Sequence, residues 1–225
     1  MCGRFTLTVS PEELQAAFPS FDIPPDVPPS YNIAPSQPIP VVPNDKNLKM
    51  TFMRWGLVPS WAKDEKFGGY NLINARSETA AEKPSFKNSF RRRRCAVLAD
   101  GFYEWKKNSS GAKTPYYITL KNREPFAFAG LWEEWISPEG DLLLSACILT
   151  TTPNKVIQPI HNRMPVILNK TNLDNWLQPG EVDPAAVQPL LQPYQESEIE
   201  AYPVSTYVNS PHNNSPQCIQ PAGMF

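Results

Sequence analysis

The residue at position 2 is a cysteine, and removal of Met1 would leave it at the amino terminus. Residues 2 and 3 are both small, which makes Met1 an easy target for removal. A terminal cysteine carries an α-amine of reference pKa about 7.7–8.0 beside a thiol of about 8.5, so both are partly reactive near neutral pH. Such an aminothiol condenses with an aldehyde to an imine, which the thiol closes to a thiazolidine ring. Taken alone, however, a cysteine at position 2 is more often an accident of the terminus.

Two other side chains could move protons. His161 precedes a predicted strand, and imidazole suits acid–base chemistry near neutral pH, although an isolated histidine is more often structural. The other histidine, His212, lies in a polar segment and is expected to be inert. Glu104 follows two aromatic residues and would share a strand face with Phe102, which favours burial and a raised carboxyl pKa over a simple solvent-facing position.

Three residues could contact a nucleic acid. Asn74 and Arg76 would project the same way from an extended chain, where an amide and a guanidinium suit a sugar hydroxyl and a phosphate. The alternative is a helix cap at Ser77 beside an incidental arginine. Trp61 lies in a proline-containing loop and could stack on a base, whereas Trp55 is assigned to the core.

The charge distribution is more informative than the net charge of −1, which by itself argues against a nucleic-acid binder. Residues 1–125 hold 18 basic and 12 acidic side chains, and residues 126–225 hold 3 and 10. Such asymmetry indicates nucleic-acid or membrane contact. The run Arg91–Arg94 fits either that role or a solvated helix face, and the sequence leaves the two open.

Composition narrows the class of protein. The 26 prolines among 225 residues disfavour a helical bundle and favour short strands joined by turns. The sequence has neither an apolar run that could span a membrane nor a signal-peptide core, and its four scattered cysteines have no metal-binding spacing. We therefore expect a cytoplasmic protein, nucleoid-associated if bacterial, with no metal and no cofactor.

The elements that must position these residues are mostly strands. A capping box at Ser10 and Glu13 predicts a helix over residues 11–18, and Asp183 with Pro184 predicts another over 184–191. Further helices are predicted over 77–83, 85–94 and 172–178. Strands are predicted over 39–42, 49–57, 95–105, 116–120, 126–132, 143–150, 164–168 and 201–208. The pattern indicates an α+β fold on an antiparallel sheet, with a single domain over residues 1–208 and a loose tail over 209–225.

Six motifs in order carry a resemblance to a known family. They are Met-Cys-Gly-Arg-Phe, Tyr-Asn-Ile-Ala-Pro, Trp-Gly-Leu-Val-Pro-Ser-Trp, Asn-Ala-Arg-Ser-Glu-Thr, Gly-Phe-Tyr-Glu-Trp and Ile-His-Asn-Arg-Met-Pro-Val. Together they resemble the SRAP family, the SOS-response-associated peptidase domain, whose members crosslink to abasic sites in single-stranded DNA. The resemblance extends from residue 2 to about residue 208 and implies a barrel-like antiparallel β core with short peripheral helices.

The resemblance also implies roles for individual residues. The catalytic set would be Cys2, which forms the thiazolidine after Met1 is lost, Asn74, which positions the terminus, Glu104, which assists proton transfer, and His161, which takes part in imine chemistry and reversal. The DNA-binding set would be Arg4, Asn32, Trp61, Arg76, Thr150 and Arg163. The implied partner is single-stranded DNA containing abasic sites, including junctions with duplex, bound by a monomer.

Two rival interpretations remain at this stage. Cys2 and His161 could act together as a cysteine autopeptidase or amidohydrolase through a thiolate. This activity could coexist with crosslinking, because self-removal of Met1 would expose the amine, and we expect a lyase- or hydrolase-like crosslinking enzyme that removes its own Met1. Alternatively, the basic amino-terminal half could be a noncatalytic binder of single strands.

Overall fold

Most of the regular structure is β-strand in the computed structural model, which describes residues 2–65 and 72–223. The strands of these residues are β1 (Phe5–Leu7), β2 (Ser30–Ile33), β3 (Pro38–Pro43), β4 (Thr51–Trp55), β5 (Asn74–Arg76), β6 (Arg94–Ala99), β7 (Gly101–Lys107), β8 (Lys113–Leu120), β9 (Phe126–Ile136), β10 (Leu142–Thr151), β11 (Met164–Pro165), β12 (Ile167–Leu168) and β13 (Ile199–Pro203). The helices are α1 (Pro11–Ala17), α2 (Lys87–Arg92), α3 (Lys170–Trp176) and α4 (Pro184–Val187).

Five of the strands close into a barrel. The ring runs β10, β4, β3, β6 and β9, and closes because β9 pairs with β10 along most of its length. The β4–β10 pair is parallel and the other pairs of the ring are antiparallel, so the barrel is mixed. Outside the ring, β5 also pairs with β10 in parallel. The expected α+β fold with a barrel-like core is confirmed, and the parallel pairs are an addition to it.

A second sheet lies against the barrel and contains the amino-terminal strand. Its order is β13, β8, β7, β1 and β2, with antiparallel pairing throughout. Phe5 of β1 packs edge-on against Trp55 of the barrel, with ring centroids 5.1 Å apart, and against Phe128 at 5.9 Å. Because aromatic burial dominates core energetics, this cluster fixes β1 on the barrel. Trp55 belongs to the core, as predicted.

Asp100 divides the strand predicted over residues 95–105 into β6 and β7. Its buried carboxylate accepts hydrogen bonds from the backbone nitrogen of Thr8 at 2.6 Å and the hydroxyl of Thr6 at 2.5 Å. Gly101 follows, where a Cβ would meet the Tyr117 ring. A buried carboxylate needs several such donors, so Asp100 turns the chain from the barrel into the second sheet and fixes β1 there.

The helix predictions agree with the structure except in one segment. Both hydrogen bonds of the capping box at Ser10 and Glu13 are present, and the side chain of Asp183 caps α4. Residues 77–83, predicted to be a helix, form successive turns. The backbone nitrogen of Ser77 bonds to the carbonyl oxygen of Thr150 in β10, so the segment starts as a continuation of β5.

The arginine run is bound to the protein itself. Arg94 is buried and donates to the carbonyl oxygens of Trp176 at 2.9 Å and Arg91 at 2.6 Å. Arg93 pairs with the buried carboxylate of Glu133 at 2.6 Å. Arg92 pairs with Glu181 at 2.8 Å. The guanidinium groups of Arg93 and Arg94 therefore stabilise the fold, and neither of the two roles left open for the run describes them. Arg91 and Arg92 are exposed, as on a solvated helix face.

The segment after residue 208 packs on the second sheet instead of forming the expected loose tail. Cys218 is fully buried beside Tyr103 and Tyr117. The side-chain oxygen of Asn214 accepts the backbone hydrogen bond of Tyr31 at 2.7 Å. These partners are distant in sequence, so a local reading of a polar, proline-containing stretch could not find them.

No helix within residues 2–65 and 72–223 is long and apolar enough to cross a membrane.

Candidate active site at the amino-terminal strand

The pairing of β1 with β7 brings Cys2 beside Glu104. Phe5 lies opposite Phe102, and the backbone nitrogen of Tyr103 donates to the carbonyl oxygen of Arg4 at 2.9 Å. Continued along both strands, this antiparallel register places Gly3 opposite Glu104 and Cys2 opposite Trp105. Cys2 is fully buried, and its thiol lies 3.8 Å from the carbonyl oxygen of Arg4.

Burial makes the Cys2 thiol a weak acid. Removal from water raises its pKa far above the ordinary value, and the nearby negative charge of Glu104 raises it further. Because the thiolate is the nucleophile of cysteine chemistry, the thiol is not activated for attack on its own in this environment. A reaction that begins at the α-amine does not require an activated thiol.

Glu104 combines burial with a titration near neutral pH. Its side chain is only 3% exposed, and burial raises its pKa to about 7. The expected burial and raised pKa are confirmed. A carboxyl that titrates at about 7 can donate or accept a proton at neutral pH, which is the property required of a general acid–base group.

His161 faces Glu104 across a short gap, with Nε2 4.0 Å from the carboxylate oxygen Oε2. Its Nδ1 accepts from the backbone nitrogen of Arg163 at 3.1 Å and also lies 3.2 Å from the carbonyl oxygen of Arg163. Burial lowers the imidazole pKa, so the ring is mainly neutral at pH 7. Since residue 163 offers both a donor and an acceptor, the loop can hold either tautomer of the ring.

Arg163 is itself held by an acidic partner that the sequence did not reveal. Its guanidinium forms a two-pronged ion pair with Glu78, at 2.7 and 2.8 Å, and donates to the carbonyl oxygen of Thr150. Hydrogen bonding to Arg163 lowers the pKa of Glu78. This pair connects the turn after β5 to the loop that carries His161.

Asn74 and Arg76 occupy alternate positions of β5, as expected for an extended segment. The Asn74 amide nitrogen donates to the carbonyl oxygen of Cys2 at 2.7 Å. The Asn74 side-chain oxygen is buried and has no hydrogen-bond partner among the described residues. Arg76 is exposed at the end of the strand. Asn74 therefore contacts the terminal strand directly, with one acceptor still available.

Of the expected DNA-binding set, Asn32 and Thr150 lie inside the protein and Arg4 is half-buried. Asn32 is 2% exposed, and its amide bonds to the guanidinium of Arg4 at 2.7 Å. Arg4 also donates to the carbonyl oxygen of Val208 and lies over the Trp105 ring. Thr150 is fully buried in β10. Their contacts hold β1 and the loop of His161 in position, and Asn32 and Thr150 expose no surface that a polymer could bind.

Trp61 remains exposed while the loop around it is anchored. Its side chain is 51% exposed. The backbone nitrogen of the preceding Ser60 donates to the buried carboxylate of Glu133 at 3.0 Å, and the Trp135 indole donates to the carbonyl oxygen of Ala62 at 2.8 Å. An anchored loop that presents a large aromatic face is suited to stacking on a base.

The structure thus brings Cys2, Asn74, Glu104 and His161 together, although they come from the segment before β1, from β5, from β7 and from the loop before β11. Glu78 and Asp100 are positioning residues that sequence reasoning missed. Since both act through partners remote in sequence, only a three-dimensional arrangement reveals them. The removal of Met1 concerns a residue outside the described ranges. Within those ranges, no group of three or more potential metal-ligating side chains is present.

Comparisons with known proteins identify the family of the chain. Residues 1–211 match the family described as SOS response associated peptidase (SRAP). The chain is 50% identical to the abasic site processing protein YoqW of Bacillus subtilis, covering 98% of this chain and 99% of that protein. It is 33% identical to the abasic site processing protein HMCES of Rattus norvegicus, covering 100% of this chain and 77% of that protein.

The same architecture occurs in a solved structure. A crystal structure of a protein from Bacteroides thetaiotaomicron superposes with a TM-score of 0.87 at 26% identity, covering 98% of this chain and 100% of that one. The match of residues 1–211, together with relatives of half-identical sequence over nearly their full length, shows that this chain belongs to the SRAP family.

Proposed function

We propose that this protein recognises abasic sites in single-stranded DNA and forms a covalent crosslink with them through Cys2, after Met1 has been removed. The relatives named abasic site processing proteins support the substrate. The observation that carries the mechanism is the convergence of Cys2, Asn74, Glu104 and His161 at the start of β1. An abasic deoxyribose equilibrates with its open aldehyde, which is the electrophile that an aminothiol captures.

The proposed reaction has two bond-forming stages. The α-amine of Cys2 attacks the aldehyde carbon C1′, and the resulting carbinolamine loses water to give an imine. The Cys2 sulfur then attacks the same carbon, and the thiol proton passes to the imine nitrogen. The product is a thiazolidine, and the net change is loss of one water molecule. The high thiol pKa is compatible with this order because the amine acts first.

Glu104 and His161 supply the proton transfers in this scheme. In its acid form Glu104 protonates the sugar ring oxygen as the ring opens and the hydroxyl that leaves the carbinolamine. His161, neutral at pH 7, takes up the proton that the amine releases as it attacks, and the resulting imidazolium passes that proton to the Glu104 carboxylate, which returns to the acid form. Asn74 fixes the backbone of Cys2, and its available side-chain oxygen can accept a hydrogen bond from the terminal amine or a sugar hydroxyl.

Recognition of the DNA follows from exposed groups around this site. Arg76 at the end of β5 suits a backbone phosphate, and Trp61 suits a base or the end of a duplex beside the lesion. Arg163 would meet a phosphate only by sharing its guanidinium with Glu78. Specificity for the lesion comes from the missing base, which leaves room for the amino terminus to reach C1′.

The contacts of the Cys2 thiol weigh against the rival peptidase. A cysteine hydrolase needs a thiolate, usually formed beside a histidine. Here the thiol contacts the carbonyl oxygen of Arg4, and burial together with the charge of Glu104 disfavours ionisation. Hydrolysis of added peptides by the wild-type protein would support the rival.

The decisive experiment compares adducts that survive denaturation. Wild-type protein incubated with single-stranded DNA containing one abasic site should give a band that resists SDS and heat. Cys2→Ala keeps an α-amine but lacks sulfur, so it should give an adduct only when borohydride reduces the imine. Cys218→Ala, which removes a buried thiol elsewhere, is the matched control and should crosslink as the wild type does.

Mass spectrometry of the same preparations checks the starting state. We expect Met1 to be absent from the molecules that crosslink. A stable adduct from Cys2→Ala without reductant, or crosslinking by molecules that retain Met1, would contradict the mechanism.

A further inference from the structure

The hairpin that joins β7 to β8 carries an unbalanced positive charge. Residues 105–114 include Lys106, Lys107 and Lys113 and no acidic residue. Lys107 and Lys113 are exposed and Lys106 is half-buried. No carboxylate among the described residues lies within ion-pair distance of these three ammonium groups, whereas Arg92, Arg93 and Arg163 all have such partners. Other exposed lysines also lack such a partner, so the hairpin is distinguished by having three of these ammonium groups within ten residues and no carboxylate among them.

The pairing within the hairpin increases this imbalance. Lys107 lies directly opposite Lys113 in the antiparallel register. Like charges at directly opposed positions destabilise a sheet, so the pair costs stability in the free protein. An anion bound between the two ammonium groups would remove that cost.

The hairpin also borders the active site. Lys106 lies two residues beyond Glu104 on the same strand, about 7 Å away, and on the same face of the sheet, whereas Lys107 and Lys113 project from the other face at the end of the hairpin. Burial is the main cause of the lowered pKa of His161, and the positive charge of Lys113 adds to it, which places Lys113 near the imidazole. Arg76 and Arg163 belong to the barrel side, so Glu104 and His161 lie between two basic regions.

We propose that Lys106, Lys107 and Lys113 bind backbone phosphates of the single strand on one side of the lesion, with Arg76 and Arg163 on the other side. The inference rests on the proposed function for the identity of the strand. Positive charges on both sides of the reacting carbon would hold the strand across the site, which contacts on one side alone cannot do. Because lysine acts as a point charge, the contact carries no sequence preference.

The test is equilibrium binding to a short oligothymidylate that contains one tetrahydrofuran residue. This abasic analogue has no aldehyde, so binding is measured without crosslinking. The variant Lys106→Gln/Lys107→Gln/Lys113→Gln should bind at least about tenfold more weakly at low salt. Each lost phosphate contact lowers the slope of log affinity against log salt by about 0.7, so the slope should fall by about two.

Two companion variants make the result specific. Lys46→Gln/Lys121→Gln/Lys170→Gln removes the same charge from exposed positions far from the site and should change the slope little. Lys106→Arg/Lys107→Arg/Lys113→Arg keeps the charge and should retain the wild-type slope. An equal loss in the two glutamine variants, an unchanged slope in the hairpin variant, or no measurable binding by the wild type would overturn the hairpin as a phosphate site.

The crosslinking assay separates this inference from the proposed function. If the hairpin variant binds normally and the wild type crosslinks, the phosphate site is wrong and the proposed function stands. If the wild type does not crosslink but binding depends on the three lysines, the proposed function is wrong and the phosphate site stands. Lysine-dependent binding of an acidic peptide but not of the oligonucleotide would identify a protein partner and reject the proposal.

Discussion

The central residue of the site is a carboxyl group whose surroundings were partly readable from the sequence. Phe102 and Glu104 on one strand face indicated burial, and the structure has Glu104 buried with a pKa of about 7. The partners of that carboxyl were not readable. Cys2, Asn74 and His161 are remote from it in the chain, and only the family resemblance connected the four before the fold was known.

The pKa of Glu104 predicts how crosslinking depends on pH. The α-amine must be deprotonated, which raises the rate as pH approaches about 8. The acid form of Glu104 is lost as pH rises through about 7, which lowers the rate. We therefore expect a bell-shaped profile with its maximum between about pH 7 and 8. Single-turnover rates of SDS-resistant adduct formation between pH 5 and 9.5 measure it (about half-unit steps suffice).

A neutral replacement tests the assignment of the descending limb. Glu104→Gln cannot donate the proton, so the rate should fall by about a hundredfold or more and then only rise with pH. Glu82→Gln, an exposed residue on another part of the surface, should keep the wild-type profile. A descending limb that persists in Glu104→Gln would assign that titration to a different group.

At the level of elements, signals between near neighbours in the chain were reliable. The capping box at Ser10 and Glu13 predicted α1 to within one residue. Asp183 correctly predicted the start of α4, but α4 ends at Val187, and only a short 3₁₀ turn follows it over Gln188–Leu190. The break at Asp100 was missed because its cause is the hydrogen bonds of a buried carboxylate to β1, nearly a hundred residues away.

The roles of the residues in the arginine run could not be predicted from the sequence either, because identical residues in it have different surroundings. Arg94 is buried and bonds five carbonyl oxygens at the ends of α2 and α3. Burial lowers its pKa to about 10, so the group remains charged at neutral pH. Arg92, two positions away, forms an exposed pair with Glu181. No sequence pattern distinguishes the two positions.

This contrast gives a stability prediction. Arg94→Lys cannot replace the planar set of donors and should lower the free energy of unfolding by about 3 kcal/mol. Arg92→Lys should change it by no more than about 0.5 kcal/mol, because exposed pairs contribute little. Urea denaturation followed by circular dichroism measures both. Equal effects of the two substitutions would mean that the carbonyl contacts of Arg94 are not important for stability.

For the molecule as a whole, the carboxy-terminal segment is a structural part of the amino-terminal site. Asn32 connects the two ends, since its amide donates to the carbonyl oxygens of Ser210 at 2.9 Å and Asn213 at 2.7 Å while accepting from Arg4. Arg4 is two residues from Cys2. The position of the amino-terminal residues therefore depends on residues more than two hundred positions away.

Deletion of residues 210–225 should have two effects. Loss of the bonds to Asn32 and Tyr31 and of the packing of Cys218 should lower the free energy of unfolding by roughly 2–4 kcal/mol. Crosslinking should also slow at temperatures where the truncated protein remains folded. Thermal unfolding and adduct kinetics measure these effects, with His212→Ala as the control, an exposed side chain in the same segment. A truncated protein with wild-type kinetics would show that Arg4 needs no support from this segment.

The position of β1 beside β7 has a consequence during translation. The amino end reaches its buried place only after residues 101–107 have left the ribosome, because β7 supplies the pairing that holds it. At about 5–20 residues per second, synthesis of that length takes roughly 5–20 seconds. Throughout that interval the nascent end is open to a ribosome-bound aminopeptidase. The proposed unmasking of Cys2 can therefore precede folding, without any need for the finished protein to cleave itself.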